Sequence, residues 1–115
     1  MLVLITGASA GFGAAIARRY VAEGHRVIIT GRRADRLTAL ATTLGAQAHV
    51  AVFDVCDAEA VAALPETLPA DWCEIDVLVN NAGLALGLEP AHRAELNDWD
   101  RMVNTNIKGL MTMTR

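Results

Sequence analysis

Apolar residues fall into short unbroken runs separated by stripes of helical period. The first run, Leu2–Ile5, leads straight into Thr6-Gly7. Four consecutive apolar side chains without polar alternation describe a strand covered on both faces. Phe12, Ile16 and Tyr20 then recur at intervals of four, with Arg18, Arg19 and Glu23 on other faces. That spacing predicts a helix, which Gly24 is placed to stop. Arg26–Thr30 predicts a second buried strand. A second helix runs from about Asp35, with Leu37, Leu40, Ala41 and Leu44 on one face and Gly45 just past its end.

The same alternation continues to the last residue. His49–Phe53 predicts a third strand ending at Asp54. Asp57 can cap a short helix reaching Leu64, before Pro65. Ile75–Val79 predicts a fourth strand, closed by Asn80-Asn-Ala-Gly83. Asn97, with Asp100 three residues on, suits the start of a last helix striped by Trp99, Met102, Val103, Ile107 and Leu110. Strand and helix in strict turn imply right-handed crossovers and a parallel sheet with helices on both faces. The fold class is therefore α/β, a doubly wound sheet in the order 3-2-1-4. Its fourth strand would keep one unpaired apolar edge. Residues 1–115 thus read as one domain cut before a fifth strand, a fragment of a larger sheet.

Composition narrows the class. Hydrophobic residues make up 53% of the 115 and charged residues 20%, which suits a globular domain rather than a disordered one. A net charge of −3, without a basic block, argues against nucleic acid or a membrane surface as partner. No apolar run approaches the ~18 residues of a membrane span. The N-terminus lacks a basic stretch and a small-residue cleavage site, so it reads as a strand and not a signal peptide. Cys56 and Cys73 form no C-x-x-C pair and no Cys/His cluster. No metal site is expected, and two isolated thiols suit a reducing cytoplasm.

The chemistry gathers at strand ends. The first turn reads Thr6-Gly7-Ala8-Ser9-Ala10-Gly11-Phe12-Gly13, directly after a buried strand and at the mouth of a helix. Gly7 allows a sharp turn, Gly11 allows backbone to approach a pyrophosphate, and Gly13 allows helix and strand to pack closely. The helix N-terminus then offers free N–H groups to an anion. In this setting the turn is a dinucleotide cradle of the Rossmann type, although its spacing is not G-x-G-x-x-G.

The second strand ends Thr30-Gly-Arg-Arg33 where an NAD site would place an acid for the ribose 2′-hydroxyl. Arg32 and Arg33 can instead bind a 2′-phosphate, with Ser9 adding a hydroxyl, and this predicts NADP(H). A solvated basic loop is the plain alternative. Asp54 can accept from an adenine amino group or simply turn the chain. Asn80 can equally serve structure alone by tying strand ends together.

Thr6–Gly13, Asp54, Asn80–Gly83 and Asn106-Ile-Lys-Gly109, in this order over the whole chain, resemble the short-chain dehydrogenase/reductase family. More narrowly, Asn80–His92, Thr30–Arg33, Pro69–Cys73 and Lys108–Arg115 are similar to the bacterial NADP-dependent 3-hydroxy acid dehydrogenases. The resemblance implies an oxidoreductase passing hydride between NADP(H) and a small 3-hydroxy acid or semialdehyde, such as 3-hydroxypropionate, malonic semialdehyde or a serine-like acid. It implies that Gly7, Ala8, Ser9, Ala10, Gly11, Phe12 and Gly13 hold the pyrophosphate and Arg32 and Arg33 the 2′-phosphate. Asp54 and Val55 would meet the adenine, and Asn81, with Ala82 and Gly83, the ribose beside the nicotinamide. Asn106 would support a proton relay through its main-chain carbonyl; a polar residue in a kinked helix is the alternative.

The family's serine and its Tyr-x-x-x-Lys motif are absent. Tyr20 and Lys108 are the chain's one tyrosine and one lysine, far apart, so this piece is expected to be inactive. A homotetramer is implied for the full-length protein. The alternatives are a relative acting on another alcohol or a 3-oxoacyl thioester, and a non-catalytic NADP-sensing module.

Overall fold

The computed structural model describes every residue from Met1 to Arg115. Strands β1 (Leu2–Ile5), β2 (Arg26–Gly31), β3 (Ala48–Val52) and β4 (Val77–Val79) make one parallel sheet in the order β3-β2-β1-β4, as the alternation predicted. Val3 lies beside Val27 and Val77, and Ile5 beside Ile29 and Val79.

The two-residue period of the strands sorts the core into two halves. Val3, Ile5, Val27 and Ile29 face helices α1 (Gly11–Ala22) and α2 (Ala34–Leu44), where Leu37 and Leu40 meet them. Leu2, Leu4 and Ile28 face the other side, under Leu64 of α3 (Ala58–Thr67) and Leu68 just beyond it. Both faces of β1 are thus covered, which explains its unbroken apolar run.

Four local expectations change. In α1 the buried face is Gly13, Ala14 and Ala17, with Ile16 and Tyr20 only partly covered. Small residues let this helix lie close on the sheet, and Phe12 is left 84% exposed at its open end. Helix α3 runs through Pro65 to Thr67 instead of stopping at Leu64. A proline this near a C-terminus removes a single donor. The Leu64 carbonyl still accepts from Leu68 N and from Thr67 Oγ1.

Strand β4 begins two residues later than predicted. Asp76 closes the sheet's lower end, its N–H donating to Leu2 O and its carboxylate accepting from Leu2 N at 2.8 Å. The last helix, α4 (Leu96–Val103), is capped from Glu95 and not from Asn97, with no side-chain cap. It continues through a π-helical stretch, Asn104–Gly109, into α5 (Leu110–Thr114). Asp57, by contrast, caps α3 as predicted, accepting from Ala60 N at 3.1 Å. No helix is long and apolar enough to cross a membrane.

Candidate cofactor site

The carboxyl ends of all four strands open onto one cavity of about 450 Å³. Such crevices are where open α/β sheets take their ligands. The turn after β1 supplies Gly7, Ser9, Ala10, Gly11 and Phe12 to its wall. The end of β2 supplies Gly31, Arg32 and Arg33. The exit of β3 supplies Phe53, Asp54 and Val55, and that of β4 supplies Asn81, Ala82 and Gly83. Fourteen cofactor positions were read from the sequence, and two of them lie elsewhere. Ala8 is fully buried in the core, and its N–H is held by Thr30 O at 2.9 Å. Gly13 sits beneath the turn, where helix and strand touch.

The turn is shaped by contacts that tolerate no Cβ. Gly7 has φ +64°, and a Cβ there would stand 2.8 Å from Ala82 Cα. At Gly13 a Cβ would collide with the Gly7 carbonyl and lie 2.6 Å from Asn81 Nδ2. Gly11 differs: its φ is +58°, but open space surrounds the position. Ala10, the N-cap of α1, offers no side-chain oxygen to the helix's first N–H groups. Those donors carry no side-chain cap and lie at the positive end of the helix dipole, an arrangement able to receive an anion.

Thr6 holds the exits of β1 and β4 together. Its side chain is buried, and Oγ1 accepts from Asn81 N at 3.1 Å and Ala82 N at 2.9 Å while donating to Val79 O at 3.4 Å. Asn81 Nδ2 donates to Gly7 O at 3.0 Å. The strand-tying role considered for Asn80 thus belongs to Asn81. Asn80 Nδ2 instead reaches Thr114 Oγ1 on α5 at 3.0 Å. Asp54 does both things weighed for it, since it lines the cavity and its Oδ1 accepts from Cys56 N at 2.9 Å.

Asn106 does not line the cavity. Its carboxamide pairs with both main-chain groups of Leu84, accepting from Leu84 N at 2.8 Å and donating to Leu84 O at 2.7 Å. The π-helical stretch is thereby fastened to the loop after β4. Its other end rests on Val55, because a Cβ on Gly109 would come within 2.8 Å of Val55 Cγ2.

Sequence reasoning missed Thr6 as a fastener, and Arg36, Leu84 and Thr105 as wall residues. Arg36 had a signal, a third arginine at the start of a helix. Leu84 and Thr105 had none, since only the fold brings them to the strand ends.

A glycine turn at an uncapped helix N-terminus on a 3-2-1-4 sheet, with an asparagine bracket from the following loop to a π-helical stretch, defines a class. A family model for the short chain dehydrogenases matches residues 1–115, and the chain belongs to that family. Among individual proteins, it is 55% identical over all its residues to the NADP-dependent 3-hydroxy acid dehydrogenase YdfG of Escherichia coli O157:H7, covering 46% of that protein. Against the enzyme of the same name from Salmonella typhi it is 58% identical with the same coverage. A solved structure described as the closed form of serine dehydrogenase complexed with NADP+ superposes with a TM-score of 0.97 at 55% identity, over all of this chain and 46% of that one. The chain therefore spans about half the length of these relatives.

Proposed function

We propose that residues 1–115 form the NADP(H)-binding part of an oxidoreductase that interconverts small 3-hydroxy acids and their semialdehydes. The observation that carries this is the meeting, in one cavity, of an uncapped helix N-terminus with Arg32 and Arg33 at the end of β2. No acidic residue stands at that strand end to repel a 2′-phosphate. Gly11 leaves open space above the turn, which gives room for a diphosphate to approach the backbone.

In this reading the turn from Gly7 to Phe12 holds the diphosphate, and Arg32, Arg33 and Ser9 hold the 2′-phosphate. Asp54 and Val55 bound the adenine, and Asn81, Ala82 and Gly83 the inner ribose. When bound, NADP(H) supplies or accepts the hydride that reduces an aldehyde or oxidises an alcohol. Asn106 positions the loop after β4, and its main-chain carbonyl supports proton transfer. The NADP-dependence of the relatives and the NADP+ in the solved serine dehydrogenase support the cofactor. The substrate class rests on the same likeness.

No Tyr-x-x-x-Lys motif of the kind such a site uses occurs within residues 1–115. Tyr20 sits in α1 and Lys108 in the π-helical stretch, so neither stands in for it. The 115 residues alone then turn over no malonic semialdehyde, checked by NADPH absorbance. Apolar Trp99, Val103, Ile107 and Leu110, exposed along the last helix, support assembly of the complete protein into a tetramer. The free thiols of Cys56 and Cys73 suit the cytoplasm.

Titration of the complete protein tests the reading. NADPH binds saturably and more tightly than NADH, and Arg32→Asp lowers that preference at least about 10-fold. No saturable uptake of NADPH, or an unchanged preference in the variant, rejects it.

A further inference from the structure

We propose that Arg36 is a specificity-determining contact to the 2′-phosphate, making a pocket of three guanidinium groups with Arg32 and Arg33. This rests on the NADP(H) reading above and extends it to a residue on a different element. Arg36 lines the same cavity as Ser9, Gly31, Arg32 and Arg33. It stands in the first turn of α2, three residues past Arg33, the helix N-cap.

A cation there works against the helix dipole, whose positive end lies at this terminus. Asp35, in the same first turn, suits the dipole, but Arg36 itself is held by no ion pair. The single ion pair is Arg19 with Glu23, on α1 and its cap, and Asp35, though adjacent, pairs with no arginine. Three arginines therefore border one cavity, none of them in an ion pair. An arginine that lines a cavity beside two others, with no ion pair to hold it, is free to meet an anionic ligand there.

The ligand chemistry follows from the count. A phosphomonoester dianion has three terminal oxygens, and each can accept from a guanidinium fork. The diphosphate is met elsewhere, at the N-terminus of α1. A 2′-hydroxyl carries no charge and gives three cations no reason to gather. The carboxylate on the cavity wall, Asp54, enters from β3 and is engaged with its own turn.

Isothermal titration of the complete protein with 2′,5′-ADP and with 5′-AMP tests this, since the probes differ only in the 2′-phosphate. Arg36→Gln weakens 2′,5′-ADP roughly 10-fold, the scale of one charge-assisted hydrogen bond, and leaves 5′-AMP unchanged. Arg36→Lys, which keeps the charge and loses the fork, falls between. If Arg36→Gln binds both probes like the parent while Arg32→Gln loses 2′,5′-ADP, Arg36 is a solvated surface cation. The inference then falls and the NADP(H) reading stands. Equal losses for both probes overturn it too, by showing an effect through the fold. A parent protein that does not tell the two probes apart sinks the reading beneath.

Discussion

The unit β1–α1–β2 and the stretch from β4 to Arg115 are built by different means. In the first, every residue of β1 and the middle four of β2 are buried, and α1 lies on them through glycine and alanine. In the second, β4 is three residues long and only half-buried, and α4 buries nothing completely. Leu96, Trp99, Val103, Ile107, Leu110 and Met111 all stand exposed there. A few directed contacts hold this stretch instead: Asn106 on Leu84, Asn80 on Thr114, Leu86 N on Met102 Sδ, and Gly109 against Val55. Close packing secures one region; mostly polar fasteners, with the single tight contact of Gly109 on Val55, secure the other. Substitutions should therefore act through excluded volume in the first and through lost hydrogen bonds in the second.

The sharpest way to break the contrast is Gly13→Ala. The added methyl must displace both the Gly7 carbonyl and the Asn81 side chain, and neither can yield without opening the turn. A loss of about 3 kcal/mol in denaturant-unfolding stability is expected. A variant as stable as the parent would show that α1 does not rest on the turn.

Asn106→Ala comes next. It removes two hydrogen bonds and leaves both Leu84 main-chain groups to water, because the site is exposed. The expected cost is about 1–2 kcal/mol. Amide exchange should quicken at Leu84 while Val3 and Val27 stay protected. Uniform quickening would mean that the two regions open as one.

Ile107→Lys should change least. The side chain is 53% exposed, so stability should stay within about 0.5 kcal/mol. Self-association, read by sedimentation velocity, should fall, because the charge interrupts the apolar stripe. Unchanged association would place the contact on another face.

How much of this was legible in the sequence follows the same division. The strand order, the glycine turn and the arginines after β2 could be read because each is local. A buried strand announces itself by an unbroken apolar run, and a phosphate turn by glycines between strand and helix. The apolar stripe of α1 was misread because Ile16 and Tyr20 are conspicuous and Ala14 and Ala17 are not, although the small residues make the contact. Asn97 looked like a cap because no pattern reveals that the chain has already turned helical at Leu96. The bracket between Asn106 and Leu84 spans 22 positions and leaves no periodic trace. Thr6 was in view as part of the turn, yet its three partners all come from β4 and the residues after it.

The two glycines that flank Phe12 answer to different demands. Position 13 is closed by the chain itself, so any side chain there damages the protein whether or not a nucleotide ever arrives. Position 11 is roomy, and a substituent there costs only the backbone strain of a left-handed residue, about 1–2 kcal/mol, least for asparagine. Descendants that abandoned their guest would be free to drift at 11 and would still be bound at 13. The pair thus separates, within three residues, a position closed by packing from one constrained only by its backbone angle.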